Sequence, residues 1–582
     1  MVSEPCSKCG RDAGLRCSRC LGARYCSKEC QREHWPQHRG LCKPNKDDGT
    51  QDLHRPSSKE EFPCAHCSKP TALKCSSCRK AFYCSKQCQQ QNRYQHKHEC
   101  FPFKVQENEQ LGRYLVATKD LKAGDVLLKE DPLVVSPLEP LTFVCLGCYK
   151  PMSDKNRCSR CGWPVCGPQC EELPQHVDEC RIISSRGRCD SLTLNDYKAI
   201  LSIRCSSLKE NPEKLQKLME FQTHEAERRL NKMFMQTEGE ILSTLKKIRF
   251  DYKSQGKDDN LQAFVAHVMG TINVNGFEIP SASAELMGLY PIAAFLEHSC
   301  SPNTKHKFSS SHQLVLKAAV DIKEGEHVTT TYTKLSWGTS ARRKDLLENK
   351  YFLCCCKRCS DATEYGTFFS ALKCKECKDG YCLPDKPLES NSQWTCDSCK
   401  AFISYKDADE RTNAFGGLVE TAMVNPEISQ LEYLLRKIAV TEVHPNHFHL
   451  FKLRHTLLQL YGRGPMASKE EILVKKETMC REFLEICSKL DPADGRLGPY
   501  TGVVFFEYHD LVLIRSKKLA DKEYPDEKLI DQCVDFAKKL LIKCIKVLQD
   551  EEETSPEGLL RIVAQKKYAE MTLLTSKNNS RK

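Results

Sequence analysis

The sequence predicts an α+β multidomain protein, in which small cysteine-rich fingers precede a β-rich domain and an all-α bundle closes the chain. Three observations predict this class. The 582 residues include 37 cysteines, most of them in closely spaced pairs. Short β-rich segments with turn signals fill the middle of the chain and are interrupted by a helical stretch. Beyond residue 405, apolar residues recur at helical spacing.

Composition excludes several classes of protein. Charged residues make up 28% of the chain and hydrophobic residues 40%, as in soluble globular proteins. The apolar runs are far shorter than the roughly 20 residues that a membrane span needs. The start, Met1–Cys6, has neither the basic nor the apolar region of a secretory signal. We therefore expect an intracellular protein, in the cytoplasm, the nucleus or both, whose thiols bind metal rather than form disulfides.

The first two fingers are an internal duplication with a constant offset of 58 residues. The first set comprises Cys6, Cys9, Cys17, Cys20, Cys26, Cys30, His38 and Cys42. The second comprises Cys64, Cys67, Cys75, Cys78, Cys84, Cys88, His96 and Cys100. A third, less regular set comprises Cys145, Cys148, Cys158, Cys161, Cys166, Cys170, His176 and Cys180. Each set offers eight ligands, enough for two tetrahedral zinc ions.

This pattern of paired cysteines, a Cys-x3-Cys step and a final His-x3-Cys resembles the MYND zinc finger. The resemblance implies finger domains at 1–45, 60–102 and 145–180 and an interleaved pairing of ligands. In each finger the first, second, fifth and sixth ligands would hold one zinc, and the third, fourth, seventh and eighth would hold the other. It also implies that the fingers bind proline-containing peptides of protein partners. A module this short would take most of its folding energy from the metal.

Zinc binding changes the meaning of the basic composition. Ligating thiols are deprotonated, so a four-cysteine site carries a charge of about −2 and a three-cysteine, one-histidine site about −1. About eight such ions would lower the formal net charge of the chain from +11 to about −2. Sequence-specific nucleic-acid binding is therefore not expected.

Several motifs follow the second finger in order. Residues 111–128 predict a strand, a turn and a second strand, and apolar spacing predicts a helical insert at 190–255. Ile272–Ile279 is β-rich with a turn-prone centre. The remaining motifs are Leu296-Glu297-His298-Ser299-Cys300, a turn at 323–326 that leads into a β-branched strand ending at Tyr332, and Phe352 ahead of a cysteine cluster.

Together these motifs resemble the SET domain of protein-lysine methyltransferases. Their order, with fingers ahead of and inside the domain, resembles the SET and MYND domain (SMYD) family, most of all its arthropod SmydA branch. The resemblance implies a split SET domain at 103–335, post-SET zinc and a zinc ribbon at 350–400, and a helical C-terminal domain at 405–582. The activity implied is methyl transfer from S-adenosylmethionine to a lysine of a protein substrate.

The same resemblance assigns roles to individual residues. Tyr332 is the expected catalytic tyrosine, whose hydroxyl would orient the lysine amine. The expected cofactor contacts are Gly112, Arg113, Tyr114, Asn275, Glu297, His298, Tyr332 and Phe352. Two of these depart from the family pattern, because Glu297 replaces an asparagine and Tyr114 replaces a glycine. These departures favour an alternative, a catalytically weak or inactive adaptor that recruits protein partners, for example as a transcriptional regulator.

Two further metal sites are predicted after the split domain. Cys300, Cys354, Cys356 and Cys359 match the post-SET zinc, although Cys355 could replace Cys354 as a ligand. Cys374, Cys377, Cys396 and Cys399 form two Cys-x2-Cys pairs, a pattern that favours a four-cysteine zinc ribbon.

The C-terminal region predicts successive amphipathic helices. Ile530, Val534, Ala537, Leu541 and Ile545 would share one helical face. A tetratricopeptide-like arrangement is implied by the family resemblance alone. His444, His447 and His449 fit no zinc spacing, so capping or surface positions are expected for them. The protein is expected to be a monomer.

Overall fold

We describe the fold from a computed structural model of the chain. The described residues are 5–17, 23–39, 62–71, 73–75, 78, 81–96, 100–153, 156–250, 260–281, 284–463, 468–553 and 555–579. Their contacts divide the chain into two compact units, residues 1–74 with 82–92 and residues 75–81 with 93–582. The predicted α+β class is confirmed, with zinc-type cysteine clusters, short sheets and a long helical C-terminal region.

The first unit consists of short strands and helices around cysteine clusters. Its elements are β1 (Leu15–Arg16), β2 (Arg24–Tyr25), α1 (Lys28–His38), β3 (Phe62–Pro63), β4 (Pro70–Thr71) and α2 (Lys86–Gln91). β1 pairs antiparallel with β2, and β3 pairs antiparallel with β4. A buried core this small cannot stabilise a domain unaided, which agrees with a structural role for metal.

The second unit carries small sheets and then a ribbon. Its strands are β5 (Phe103–Asn108), β6 (Gly112–Ala117), β7 (Val126–Glu130), β8 (Val134–Pro137), β9 (Phe277–Ile279), β10 (Leu286–Leu289), β11 (Glu297–His298), β12 (Thr304–Phe308), β13 (Leu314–Ala318), β14 (Thr329–Thr330), β15 (Leu372–Lys373), β16 (Tyr381–Pro384), β17 (Trp394–Cys396) and β18 (Phe402–Ile403). They form the sheets β5-β6, β8-β10-β9, β12-β13-β7, β11-β14 and β15-β16-β17-β18. β11 and β14 run parallel, and the other pairs are antiparallel.

The helices of the second unit lie within the split domain and in the C-terminal region. They are α3 (Arg93–His96), α4 (Pro168–Glu171), α5 (Pro174–Ser184), α6 (Ile200–Ser207), α7 (Pro212–Met219), α8 (Glu225–Arg228), α9 (Lys232–Lys247), α10 (Leu261–Asn275), α11 (Thr339–Lys350), α12 (Lys357–Ser360), α13 (Tyr405–Val424), α14 (Ile428–Thr441), α15 (Phe448–Tyr461), α16 (Glu470–Leu490), α17 (Gly498–Ala520), α18 (Glu527–Val547) and α19 (Pro556–Asn579). Short 3-10 helices lie at Leu194–Ala199, Leu208–Glu210 and Ala293–Phe295. Among the described residues, no helix combines the length and the apolar character needed to span a bilayer.

The expectation for Ile272–Ile279 was wrong in its first half. Residues 272–275 belong to α10, and only β9 is a strand. The β-branched residues there remain helical because α10 is buried on most of its surface, so tertiary packing outweighs local propensity. Gly270 allows this burial, since a Cβ at this position would lie 2.7 Å from the Cβ of Thr223.

The two strands predicted in residues 111–128 exist but do not form a hairpin with each other. β6 pairs with β5, and β7 pairs with β13. A sequence pattern gives the presence of a strand, whereas partner choice depends on which apolar faces must be buried together.

The C-terminal helices pack on one another in chain order from α13 to α19. α18 buries Ala537 and Leu541 and half-buries Ile530, Val534 and Ile545, which is the face predicted from spacing. His447 caps α15 by accepting a hydrogen bond from the backbone N–H of His449 at 3.3 Å.

The loop after α18 ties this helical region to the β12-β13 sheet. The carboxylate of Asp550 lies 2.7 Å from the amine of Lys307 and 3.1 Å from the amine of Lys317. Desolvation favours a higher pKa for Asp550, but its interactions with these two amines outweigh it and hold the pKa below its usual value. The helical region is therefore fixed against the domain that carries the candidate active site.

Candidate metal centres and active site

Several groups of cysteine and histidine ligands converge among the described residues. Within each group the ligand atoms all lie within 4.8 Å of one another. Five groups follow the interleaved pairing: Cys6, Cys9, Cys26 and Cys30; Cys64, Cys67, Cys84 and Cys88; Cys75, Cys78, His96 and Cys100; Cys145, Cys148, Cys166 and Cys170; and Cys158, Cys161, His176 and Cys180.

The duplication of the first two fingers extends to their geometry. The sulfur atoms of Cys9 and Cys26 are 3.4 Å apart, and those of Cys67 and Cys84 are also 3.4 Å apart. Equivalent residues 58 positions apart therefore occupy equivalent places.

A serine cap positions one ligand in each of these clusters. The hydroxyl of Ser27 accepts a hydrogen bond from the N–H of Cys30 at the start of α1. Ser85 does the same for Cys88 at the start of α2. Each cap satisfies a free helix N–H and fixes the cysteine in the first turn, facing the cluster.

The chemistry of these clusters fits zinc. In the first cluster, hydrogen bonding from Arg11 lowers the pKa of Cys9 to about 6. Hydrogen bonding with Cys9 and Cys30 raises the pKa of Cys26 to about 12. Thiols packed this closely cannot all ionise without a cation among them, and four sulfur or imidazole ligands are the donor set of a structural zinc.

The second site of the first finger is only half within the described residues. Cys17 and His38 are both buried, whereas Cys20 and Cys42 lie outside the described residues. Its assignment remains the one made from the sequence.

A buried carboxylate holds the histidine ligand of the third finger in place. The Nε2 atom of His176 lies 3.6 Å from the sulfur of Cys161, and its Nδ1 atom lies 2.8 Å from a carboxylate oxygen of Glu179. Glu179 also accepts two hydrogen bonds from Arg204, and its side chain is fully buried. A carboxylate at Nδ1 fixes the tautomer and ring orientation that a zinc ligand needs.

Glu179→Gln should lower the affinity of the third finger for zinc by about 10- to 100-fold, because His176 loses its orienting carboxylate. Competition with a chromogenic chelator measures this affinity. Asp178→Asn is the matched control, since Asp178 is the exposed neighbour of Glu179 on α5 and pairs with Arg181 at the surface. Equal affinities for the two variants would contradict this role for Glu179.

A further thiol cluster joins two distant segments of the chain. We call it the tail cluster; it comprises Cys300, Cys354, Cys356 and Cys359. Cys300, which follows β11, lies 3.5 Å from Cys359 between sulfur atoms and also hydrogen-bonds with Cys354 and Cys356. Cys354 is buried and Cys355 is exposed, so Cys354 is the one placed in the cluster.

Buried arginines surround this cluster. The Nε atom of Arg342 donates to the sulfur of Cys300 at 3.2 Å, and its guanidinium also lies 3.6 Å from the sulfur of Cys359. Glu364 accepts hydrogen bonds from both Arg342 and Arg358, and all three side chains are buried. Hydrogen bonds to thiolates reduce the negative charge that a bound zinc leaves on its ligands.

Cys300→Ser should remove about one zinc equivalent from the protein and lower its melting temperature, because residues 354–359 lose their link to the segment after β11. Elemental analysis and thermal unfolding measure the two effects. Cys355→Ser is the control, because Cys355 is close to the cluster in sequence but exposed. A full zinc complement in Cys300→Ser would count against this metal centre.

The ribbon cysteines also converge. The sulfur atoms of Cys374 and Cys399 are 3.7 Å apart, and those of Cys377 and Cys396 are 3.8 Å apart. The four-stranded sheet β15-β16-β17-β18 carries these ligands at its turns and strand ends. The arrangement fits a further tetrahedral zinc site, separate from the fingers.

Tyr332 lies two residues beyond β14, next to the end of the parallel pair β11-β14. Its hydroxyl donates a hydrogen bond to the backbone carbonyl of Leu296, and its ring centroid is 5.3 Å from that of His298 and 6.4 Å from that of Phe352. Desolvation raises the pKa of Tyr332, with a smaller contribution from the charge of Glu297. The hydroxyl therefore stays protonated and acts as a hydrogen-bond donor.

His298 holds Tyr332 in place rather than facing outward. Its Nδ1 atom accepts the backbone N–H of Tyr332 at 3.0 Å, and its Nε2 atom lies 3.4 Å from the sulfur of Cys300. Burial lowers the pKa of His298 to about 4. A neutral imidazole thus links the tyrosine backbone to the tail cluster.

The two residues that depart from the family pattern share one partner, His327. Glu297 lies 2.5 Å from the Nδ1 atom of His327 between a carboxylate oxygen and nitrogen, and the ring of Tyr114 packs over His327 with centroids 4.6 Å apart. The carboxylate that replaces the amide is therefore held by an imidazole, and the added ring packs against the same imidazole. The sequence motifs gave no signal for His327.

Of the other predicted contacts, Phe352 lies beside His298, whereas the side chains of Asn275 and Arg113 bind backbone carbonyls of other segments. Phe352 lies close to His298, with ring centroids 5.8 Å apart, whereas Asn275 donates to the backbone carbonyls of Gln222 and Thr271. Gly112 is exposed, with a φ of +64° at the start of β6. Arg113 points to the end of α7, where it donates to the carbonyl of Glu220 at 2.6 Å.

The residues around Tyr332 fit S-adenosylmethionine in chemical type. Glu297 offers a partly exposed carboxylate to an ammonium group, and the rings of Tyr332 and Phe352 suit a sulfonium cation. Gly112 leaves open space at the turn between β5 and β6, because a Cβ added there would meet no described atom within 4 Å.

Comparisons with known proteins agree with the motif order. The family model for the MYND finger matches residues 6–42 and 64–100, and the model for the SET domain matches residues 112–333. The third cysteine set lies within the SET match. Among solved structures, the SET domain of LSMT bound to lysine and AdoHcy aligns with 83% of this chain and 92% of its own length, at 14% identity and a TM-score of 0.24. A TM-score this low supports no detailed comparison of the two folds.

Curated relatives include SET and MYND proteins from animals and plants. The SET domain-containing protein SmydA-8, isoform A, of Drosophila melanogaster is 30% identical over 308 residues, 50% of this chain and 63% of the relative. Human histone-lysine N-methyltransferase SMYD3 is 26% identical over 261 residues, 43% of this chain and 59% of the relative. Arabidopsis thaliana histone-lysine N-methyltransferase ASHR1 is 24% identical over 423 residues, 68% of this chain and 84% of the relative. The chain thus spans about three-fifths of the length of the first relatives it matches.

Proposed function

The chain belongs to the SET and MYND domain proteins, and we propose that it is a protein-lysine N-methyltransferase that uses S-adenosylmethionine. The observation that carries this proposal is the position of Tyr332. Its hydroxyl lies at the end of β11-β14, and its backbone is held by His298, which in turn contacts the tail cluster. Tyr332 and the tail cluster are therefore both in contact with His298, which follows Glu297 in the chain.

The protein's part in the reaction is to position and desolvate an amine. S-adenosylmethionine supplies an activated methyl group when bound. The hydroxyl of Tyr332 orients the acceptor amine, while the rings of Tyr332 and Phe352 exclude water and favour the neutral form of the lysine. Glu297 binds the ammonium end of the cofactor.

The tail cluster would support this site mechanically. Cys300 comes from the segment after β11, and Cys354 lies two residues after Phe352. A metal held by both segments fixes Phe352 against Tyr332 and His298. We infer about eight zinc ions for the whole chain, six in the three fingers, one in the tail cluster and one in the ribbon.

An adaptor without efficient turnover is the second candidate, and the contacts of His327 favour it. Tyr114 and His327 fill space next to Glu297, and His327 already holds the carboxylate. Such a protein would act through its fingers, which we propose bind proline-containing peptides. We further propose a monomer in the cytoplasm, the nucleus or both.

Tyr332→Phe should lower methyl transfer to proteins of a cell extract by about 100-fold or more, because one preorganised hydroxyl is lost. Transfer of label from S-adenosylmethionine measures this loss. Tyr290→Phe is the matched control, since Tyr290 also donates its hydroxyl to a carbonyl, that of His312 at 2.6 Å; Tyr290 is fully buried and Tyr332 half-buried. Equal loss in the two variants would assign the effect to stability instead.

Glu297→Asn should strengthen cofactor binding by about tenfold, equivalent to about 1.4 kcal/mol, because the amide oxygen still accepts from the cofactor's ammonium group while the repulsion of the cofactor's carboxylate is lost. Titration calorimetry with S-adenosylmethionine measures the affinity. Glu297→Gln separates charge from length, since it removes the charge and keeps the side-chain size. If none of the three proteins binds the cofactor, the methyltransferase proposal fails and the adaptor remains.

A further inference from the structure

Lys350, the last residue of α11, places its amine near the ring of Tyr332. Its Nζ atom donates to the backbone carbonyls of Asn273 and Val274, each at 2.8 Å. The same atom lies 5.9 Å from the ring centroid of Tyr332. A lysine of the chain itself therefore stands beside the proposed catalytic tyrosine, next to the end of α10 that carries Asn275.

The surroundings of this amine give it a larger neutral fraction than an ordinary lysine has. Desolvation lowers the pKa of Lys350 to about 8, and the charge of Asp345 opposes the shift. Asp345 is itself engaged, because it accepts hydrogen bonds from Thr333 at 2.6 Å and from Asn349 at 2.8 Å. The groups that accept hydrogen bonds from the amine on α10 are main-chain carbonyls, and Tyr332 faces it from beyond β14.

The two hydrogen bonds of Lys350 can be made by a charged amine or by a neutral one. A charged lysine has three N–H donors, whereas a neutral one has two and a lone pair. Two carbonyl acceptors engage both donors of the neutral amine and leave the lone pair unused. A methyl acceptor needs this state, a neutral and oriented amine with its lone pair available.

We propose that Lys350 is an internal methyl acceptor and that the protein methylates itself at this residue. The inference rests on the proposed methyltransferase function. The lone pair of Nζ forms the new N–C bond while the C–S bond of S-adenosylmethionine breaks, and the electron pair of that bond stays on sulfur in S-adenosylhomocysteine. The secondary ammonium formed releases its extra proton to water.

The carbonyls of Asn273 and Val274 also determine how many methyl groups we expect on Lys350. A monomethylated neutral amine keeps one N–H, and its protonated form keeps two, enough for Asn273 and Val274. A trimethylated amine keeps none, so both hydrogen bonds to these carbonyls would be lost. We therefore expect monomethyl-lysine to predominate.

The competing role for Lys350 is to cap the C-terminus of α10, as basic side chains often do. Capping needs the same two hydrogen bonds but no methyl transfer. A cap at this position has the same desolvated surroundings, so the two roles differ in the mass of Lys350 after incubation with the cofactor.

Mass spectrometry of the full-length, zinc-loaded protein after incubation with S-adenosylmethionine tests the proposal. We expect a gain of about 14 Da on the peptide that contains Lys350, and no gain there in Tyr332→Phe or Lys350→Arg. Lys350→Arg retains donors for both carbonyls, so it keeps the cap without the acceptor. The first-order rate of modification should not change on tenfold dilution, since the acceptor is in the same molecule.

A second measurement needs no cofactor. Acetylation by acetic anhydride across a range of pH reports the titration of individual amines, and Lys350 should titrate with a pKa of about 8, below that of an ordinary lysine. The exposed Lys344 of the same helix serves as the internal reference for reactivity. Ordinary titration of Lys350 would overturn the proposal.

The outcomes separate the two proposals. If calorimetry shows cofactor binding or added proteins are labelled while Lys350 stays unmodified, self-methylation is wrong and the methyltransferase proposal stands. If the cofactor does not bind and nothing is labelled, both are wrong.

Discussion

The structure depends on sulfur atoms held within a few ångströms of one another. Close packing raises the pKa of thiols such as Cys26, so the sulfur atoms of a cluster do not all ionise unless a divalent cation binds among them. In the fingers this interaction replaces a hydrophobic core that modules of about 40 residues cannot build. In the tail cluster it joins segments that lie far apart in the sequence, those of Cys300 and Cys354.

The candidate active site is built on that last link. His298 spans from the tail cluster to the backbone of Tyr332, and Phe352 leads directly into the cluster cysteines. Arg342 and Glu364 form a buried ion pair beneath the sulfur atoms. Burying such charges is costly unless every partner is present, so this arrangement requires the cluster to be formed.

The unusual polar residues of the site each have a partner elsewhere in the same domain. Glu297 and Tyr114 would each disturb the family's arrangement, and a single imidazole, His327, contacts both. Lys350 is accommodated differently, because carbonyls of α10 accept its hydrogen bonds in place of water. Polar groups that leave water must find partners in the protein, and here the partners come from other elements of the same domain.

The sequence by itself determined the α+β class, the helical C-terminal region and the sets of finger ligands, because ligand spacing and apolar periodicity are local properties. The interleaved pairing within each set was implied by the family resemblance. It did not determine that residues 272–275 are helical, that β6 and β7 pair with different strands, or that Cys354 rather than Cys355 enters the cluster. It gave no sign of His327 or of the amine of Lys350 beside Tyr332. Those features were decided by tertiary structure, since burial and partner choice depend on residues that are distant in the chain.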